Sequence, residues 1–234
     1  NRALRVMDNS QFRQETNASG LHIAAYFGLV NLVQKAMMRN KSLDINPKTN
    51  RGETPLHWAT IHRRRNFLEF LVKQGADLNV ENVEKRTALH MAIMGKDGAD
   101  ESLVKVLLLT RSVNPNVQDS QGWTPLRWAA AYGQLKVVEM LLSADAEVDA
   151  RDKDGWTALR WAAHQGHKII VKLLIRHEAS IEASSSDQWT LLRWAAQEGR
   201  EDIIKLLVEM RVHLNQTDTD GWTPLRWAVN YDRT

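Results

Sequence analysis

An eight-residue unit, G-W-T-P-L-R-W-A, occupies residues 122–129 and returns at 221–228. Near copies stand at 155–162, with Ala158 for the proline, and at 188–195, with Gln188 for the glycine and Leu191 for the proline. Counted from the leucine of each copy (Leu126, Leu159, Leu192, Leu225), every step is 33 residues. More divergent relatives lie upstream, where Leu21 precedes His22, Leu56 precedes His57 and Leu89 precedes His90. Self-similarity at such a period means a stack of small helical units, each burying its apolar face against its neighbours. The domain count that 234 residues would ordinarily suggest therefore does not apply.

The seven marker leucines are separated by 35, 33, 37, 33, 33 and 33 residues. The 37-residue step carries a polar, glycine-containing insertion at 95–102, a surface turn, and the 35-residue step lengthens the connection around 40–46. In the fourth unit, Thr124 and Pro125 have the character of a helix N-cap and first helical residue. Leu126, Ala129 and Ala130 then form one apolar face, and Gly133 closes a short inner helix. A second helix follows, with Leu135, Val137, Val138, Leu141 and Leu142 expected in the core. Residues 144–154 are expected to form an extended hairpin leading to the next unit. The small Ala129–Ala130 pair lets inner helices approach closely.

The chain has no cysteine, which excludes disulfides and thiolate metal sites. Net charge is +3, too mild by itself to indicate nucleic acid. No window approaches the length of a membrane-spanning apolar run, and residues 1–16 lack the apolar stretch of a signal peptide. The expectation is an intracellular protein, cytoplasmic or nuclear and not secreted. The seventh unit stops before its second helix, so the chain is expected to be a monomeric fragment of a longer protein. Residues 1–16 serve as an N-terminal cap or linker and residues 17–234 as the repeat domain.

The 33-residue period with its T-P-L-H-x-A core resembles the ankyrin repeat family from about Asn17 onward. The resemblance implies an all-α solenoid of helix–turn–helix–β-hairpin units, six full repeats and a truncated seventh. It also implies a concave face made by inner helices and hairpins, and a role in binding proteins. The family's motif histidine, which hydrogen-bonds within and between repeats, is matched by His22, His57 and His90. Arg127, Arg160, Arg193 and Arg226 depart from it. Arginine has donors and no acceptor, so any bond in which the histidine accepted must be lost or rerouted. The G-W-T-P-L style is also similar to ankyrin arrays of large fungal multidomain proteins.

All nine tryptophans fall at two repeat positions. Trp123, Trp156, Trp189 and Trp222 precede the motif threonine. Trp58, Trp128, Trp161, Trp194 and Trp227 follow the motif histidine or arginine. By family geometry the first set borders the hairpin on the ligand-facing side and the second flanks the groove on the inner helix. Trp123 and Arg127 would share a helix face if the helix began early enough. Two readings stand side by side. Trp and Arg interleave across repeats as a scaffold, or they form a binding surface, since both are enriched at interface hot spots. The helix-borne row (Trp58, Trp128, Trp161, Trp194, Trp227) with Arg127, Arg160, Arg193 and Arg226 is assigned mainly to scaffold. The hairpin-side Trp123, Trp156, Trp189 and Trp222 are assigned to partner contact. Specificity is expected from the varied groove positions: Tyr26, Phe27, Ile61, His62, Ala131, Tyr132, His164, Gln165, Gln197 and Glu198.

No catalytic constellation, phosphate loop or cofactor motif is present in the sequence. His164 and His167 have helical spacing, but the Gly166-His167 pair matches an inter-helix turn and no metal site is assigned. The acidic residues Asp149, Asp152, Asp154, Asp218 and Asp220 are scattered through hairpins without a partner base. Residues 62–65, His-Arg-Arg-Arg, form a basic turn between two helices, with contact to an acidic partner as the alternative to a solvated loop. The function expected is a non-catalytic protein-binding module. The alternatives are the recognition arm of a larger signalling enzyme and, less favoured, a nucleic-acid surface formed by the arginine row.

Overall fold

A computed structural model describes residues 17–40, 43–95, 98–110, 112–181, 191–212, 214–215, 217 and 220–230. Among them there are helices and turns and no strand. The chain divides into two compact units, residues 1–120 and 121–234.

In the first unit, α1 (Gly20–Phe27), α3 (Pro55–Ile61) and α5 (Ala88–Ile93) are inner helices stacked in order. Outer helices α2 (Val30–Arg39), α4 (Arg65–Lys73) and α6 (Glu101–Leu108) return antiparallel behind them. Each inner helix is preceded by Ser19, Thr54 or Thr87 in extended conformation, so the helix begins where the backbone first turns. The second unit repeats the scheme. Its inner helices are α7 (Pro125–Ala131), α9 (Ala158–His164), α11 (Leu191–Gln197) and α13 (Pro224–Asn230). Its outer helices are α8 (Leu135–Ser143), α10 (Lys168–Arg176) and α12 (Glu201–Glu209).

The inner helices touch through alanines. Ala129, Ala130, Ala162 and Ala163 are fully buried, so α7 and α9 pack with almost no side chain between their backbones. Behind them Val138, Leu141, Val171 and Leu174 seal the outer layer, each with no exposed surface. Leu135, expected in that layer, is only half-buried because it opens α8 at its solvent-facing end.

The connecting loop differs from the expected strand hairpin. It runs as successive turns, and in three of the described loops the sharp tip is held by one side chain. Asp152 Oδ1 accepts from the backbone N–H of Asp154 (3.0 Å) and of Trp156 (2.8 Å). Asn82 Oδ1 does the same for Glu84 and Arg86, and Thr49 Oγ1 for Arg51 and Glu53. These side chains satisfy the tip amides locally, which leaves them unavailable to a strand ladder. Consecutive tips join by single backbone bonds, Val83 N–H to Arg51 C=O and Lys153 N–H to Gln121 C=O. Gly122 sits where the tips meet, at φ +79°. A Cβ there would lie 3.0 Å from the Lys153 nitrogen, so glycine allows this approach without displacing the next loop.

Candidate partner-binding face

The repeats of the first unit are joined by histidine. His57 Nδ1 accepts from the Thr54 backbone N–H at 3.1 Å and lies 2.9 Å from Thr54 Oγ1. Its Nε2 stands 3.0 Å from the Arg86 carbonyl in the next repeat. An N–H donor at one nitrogen and a carbonyl at the other admit only the neutral Nε2–H tautomer. His22 repeats the arrangement with Ser19 and the Glu53 carbonyl. Burial holds both imidazoles below the ordinary histidine pKa, and the carbonyl bonds offset only part of that shift.

In the second unit arginine takes over, and the joint is rebuilt. Thr124 Oγ1 accepts from the Arg127 backbone N–H, and the Arg127 side chain reaches onward. Its guanidinium meets Asp152 in the next loop: Nε donates to Oδ2 at 3.3 Å, and Nη2 approaches the same oxygen to 3.2 Å as a charge contact. The Arg127 side chain is 1% exposed and that of Asp152 0%. Asp152 Oδ2 also accepts from Trp161 Nε1 at 2.9 Å. The sequence places Asp152 among scattered hairpin acids without a partner base and gives it no structural role. It is instead a buried node that folds its own loop and binds the preceding repeat. The sequence signal was present but unread, since Thr49, Asn82, Asp119 and Asp152 recur at the repeat spacing as capping-competent side chains.

Arg127 also lies against the Trp123 ring and 4.0 Å from the centroid of Trp161. The helix starts at Pro125, so Trp123 does not share its face with Arg127. The contact forms across the N-cap instead. Arg160 lies 4.0 Å from Trp156, Arg193 4.2 Å from Trp227 and Arg226 4.1 Å from Trp222. Each cation thus rests on an indole face, the arrangement favoured by the ring quadrupole.

A second set of bonds runs from the starts of outer helices α4, α10 and α12 back to the previous inner helix end. Arg64 Nε donates to the Tyr26 carbonyl at 2.8 Å, and Arg200 Nη1 to the His164 carbonyl at 2.8 Å. His167 Nε2 stands 3.2 Å from the Ala131 carbonyl. These cations and ring N–H groups satisfy carbonyls that a helix C-terminus leaves open. His167 is thereby committed to a carbonyl, and the His164 ring packs at 5.5 Å from Trp194. Among the described residues, no group of three His, Cys, Asp or Glu side chains could hold a metal.

Trp58, Trp128 and Trp194 are buried, while Trp161 and Trp227 are half-buried. Arg127, Arg160 and Arg193 are buried, and Arg226 is exposed. Trp123, Trp156 and Trp222 are half-buried, and Trp189 lies outside the described residues. Tyr132, Ile61, His164, Gln165 and Glu198 are exposed; Tyr26, Phe27, His62, Ala131 and Gln197 are half-buried. The exposed positions therefore lie at the ends of inner helices, in front of a fixed aromatic wall. In the second unit that wall links Tyr132 to Trp128 (5.3 Å), Trp128 to Trp123 (4.1 Å) and Trp123 to Trp161 (5.5 Å). In the first, the Tyr26 ring lies tilted against His62 at 4.1 Å, with Trp58 behind. The Trp58 indole N–H is pinned by Glu53 at 2.9 Å, a second anchoring acid that the sequence did not single out.

A family model of ankyrin repeats in three copies matches residues 4–82, 21–119, 74–152, 144–218 and 183–234. Human inversin is 35% identical over 135 residues, 58% of this chain and 12% of that protein. The human transient receptor potential cation channel subfamily A member 1 is 30% identical over 123 residues, 52% of this chain and 11% of its own length. The probable 26S proteasome regulatory subunit p28 of Saccharomyces cerevisiae is 31% identical over 133 residues, 56% of this chain and 57% of that protein. The chain thus spans little more than half of the yeast relative and about a tenth of the two human ones. The ankyrin repeat domain of Bcl-3 superposes with a TM-score of 0.81 at 23% identity, over 93% of this chain and 99% of that domain. With its period, its paired helices and its inter-repeat joints, the chain belongs to the ankyrin repeat family.

Proposed function

We propose that this chain is a non-catalytic protein-binding module, residues 17–234 forming the array, which acts in the cytoplasm or nucleus. The partner lies along the inner-helix ends and loop tips of each unit. Tyr26, Phe27, Ile61, His62, Ala131, Tyr132, His164, Gln165, Gln197 and Glu198 provide the contacts, and Trp123, Trp156, Trp189 and Trp222 border them. The helix-borne tryptophans and the buried arginines are the wall that keeps these positions rigid, which lowers the entropy cost of association. Ankyrin repeat proteins are protein-interaction modules, and no helix among the described residues is long and apolar enough to cross a membrane.

The observation that carries this reading is exposure against a fixed background. Tyr132 is 52% exposed although the Trp128 ring beneath it is buried, so a large ring is held toward solvent on a rigid support. The test is site-specific photocrosslinking from source-cell extract, with the crosslinker placed at Tyr132, at His164 or at Glu139 on the outer helix. Crosslinks to one protein from the first two positions and none from Glu139 are expected. Crosslinking from Glu139 alone would move the interface to the outer layer and overturn the assignment.

A further inference from the structure

In the second unit, oxidisable rings touch in sequence. Between ring centroids, Trp156 lies 4.7 Å from Trp161, Trp161 5.5 Å from Trp123, Trp123 4.1 Å from Trp128 and Trp128 5.3 Å from Tyr132. The repeat builds this order. Trp128 and Trp161 stand on α7 and α9, and Trp123 and Trp156 precede those helices. Each loop-side ring therefore falls against the ring of its own helix, and Trp123 also reaches the helix ring of the next repeat. Tyr132 follows Trp128 by four residues, about one helical turn, and caps α7 on the same side.

The two ends of this row differ. Tyr132 is 52% exposed and Trp128 8%, while Trp123, Trp156 and Trp161 are half-buried. An oxidised phenol is a strong acid, so at Tyr132 a positive hole is quenched by release of the phenolic proton to water. The neutral phenoxyl radical left behind is a weaker oxidant than an indolyl radical near neutral pH, so transfer to this ring runs downhill. Charge points the same way. Arg127 is in contact with Trp123 and lies 4.0 Å from Trp161, but 6.0 Å from Trp128. Its repulsion of a hole falls with distance and, of these three indoles, is weakest at the one beside Tyr132. Asp152 offsets part of that repulsion at Trp161, whose N–H it accepts at 2.9 Å.

We propose that this row is a relay for one-electron oxidation, with Tyr132 as the modification site at which oxidation of the second unit comes to rest. A radical one-electron oxidant takes an electron from an indole and is reduced. That indole is refilled from the next ring, and the last electron comes from Tyr132, which loses its phenolic proton to water. The net change is one electron from Tyr132 to the oxidant and one proton to solvent. Trp161, whose N–H ends on the Asp152 joint, is restored, and the lesion sits on an exposed ring outside that joint. The relay is a property of the row itself and does not depend on the protein-binding reading.

The test is pulse radiolysis of the full chain in azide solution, where the azide radical takes an electron from an indole and leaves as azide ion. Tyr26→Phe and Tyr231→Phe remove the other two tyrosines, so phenoxyl absorbance reports Tyr132 alone. Phenoxyl formed within the pulse is direct attack. The relay is the slower phase, in which phenoxyl appears as indolyl radical decays. Its rate is expected to be first-order and unchanged by protein dilution. Trp128→Phe should slow it by about tenfold or more, equivalent to about 1.4 kcal/mol on the barrier, because the hole must then pass from Trp123 to Tyr132 without the ring between them. Tyr132→Phe should abolish the phenoxyl phase and prolong the indolyl signal. That ring is exposed, so this variant keeps the fold even where Trp128→Phe disturbs it. Absence of the slower phase, or a rate proportional to protein concentration, would overturn the proposal. So would indolyl decay unaltered by Tyr132→Phe, or a phenoxyl phase unaltered by Trp128→Phe in a natively folded variant.

Discussion

Asp152→Asn isolates the joint that replaces histidine in the second unit. Asn can still fold the loop, because Asn82 accepts the same two backbone amides at 2.9 Å in the first unit. What is lost is the negative charge facing Arg127. The pair has contacts of 3.2 and 3.3 Å with both side chains out of solvent. At a charge separation of about 4 Å and an effective dielectric near 20, the attraction is about 4 kcal/mol. Removing one partner also leaves a buried guanidinium uncompensated, for which about 3–5 kcal/mol is typical. We therefore expect Asp152→Asn to cost about 3 kcal/mol. Asp152→Ala should cost about 1–3 kcal/mol more, since the loop amides then lose their acceptor.

The decisive measurement is a double-mutant cycle by urea unfolding. Arg127→His on the Asp152→Asn background removes the stranded charge and offers the histidine geometry seen at His57. It should therefore recover part of the loss, giving a coupling of at least about 1.5 kcal/mol. Repeat arrays can unfold in stages, so amide exchange at Asp154 and Trp156 should accompany the melts. An Asp152→Asn cost below about 0.5 kcal/mol would refute the claim that the pair is a structural joint. So would an Arg127→His effect identical on both backgrounds.

Trp161→Ala should cost about 3 kcal/mol, because the indole packs between repeats and its N–H ends on Asp152; a near-native midpoint would return this ring to the binding surface. Gly122→Ala should cost about 1–3 kcal/mol in the same melts, from φ +79° and the 3.0 Å approach of the next loop. Gly75→Ala, at a similar φ but with open space around it, should cost less, and equal costs would show that the close approach contributes nothing.

The parts legible in the sequence are those set by nearest neighbours along the chain. Thr124 before Pro125 marks the start of α7, and Ala129 with Ala130 marks its buried face, because both depend on local backbone preference and a 3.6-residue period. The loss of the histidine acceptor at Arg127 was also legible from side-chain chemistry alone. The new partner was not, since Asp152 lies 25 residues away and meets Arg127 only after helix α8 and the following loop have folded between them. Residues 144–154 read as a strand hairpin because the family pattern suggests one. The local Asx geometry at Asp152 captures the amides that a ladder would need. For Trp189 and residues 1–16, which lie outside the described residues, the sequence reading stands alone.

The two kinds of joint should respond differently to acid. His22 and His57 act only as neutral rings, since each Nδ1 accepts from a backbone N–H. Burial lowers both pKa values in the folded state; the Glu53 charge raises them slightly, and Lys48 lowers that of His57 further. The direction follows from proton counts. Unfolded histidine takes up a proton as pH falls through about 6.5, while the folded rings resist, so the unfolded chain binds more protons. The stability these rings contribute is thus fully present above about pH 6.5 and is lost as pH falls toward the depressed folded values. The Arg127–Asp152 joint contains no histidine. Between pH 7 and pH 5.5, hydrogen exchange corrected for its intrinsic pH dependence should rise for amides of Ile23–Ala25 and Trp58–Thr60 before those of Trp128–Ala130. Replacing His57 by Gln should remove part of that response in the first unit. Simultaneous loss of protection in both units, or earlier loss in the second, would show that histidine neutrality does not govern the first unit's stability.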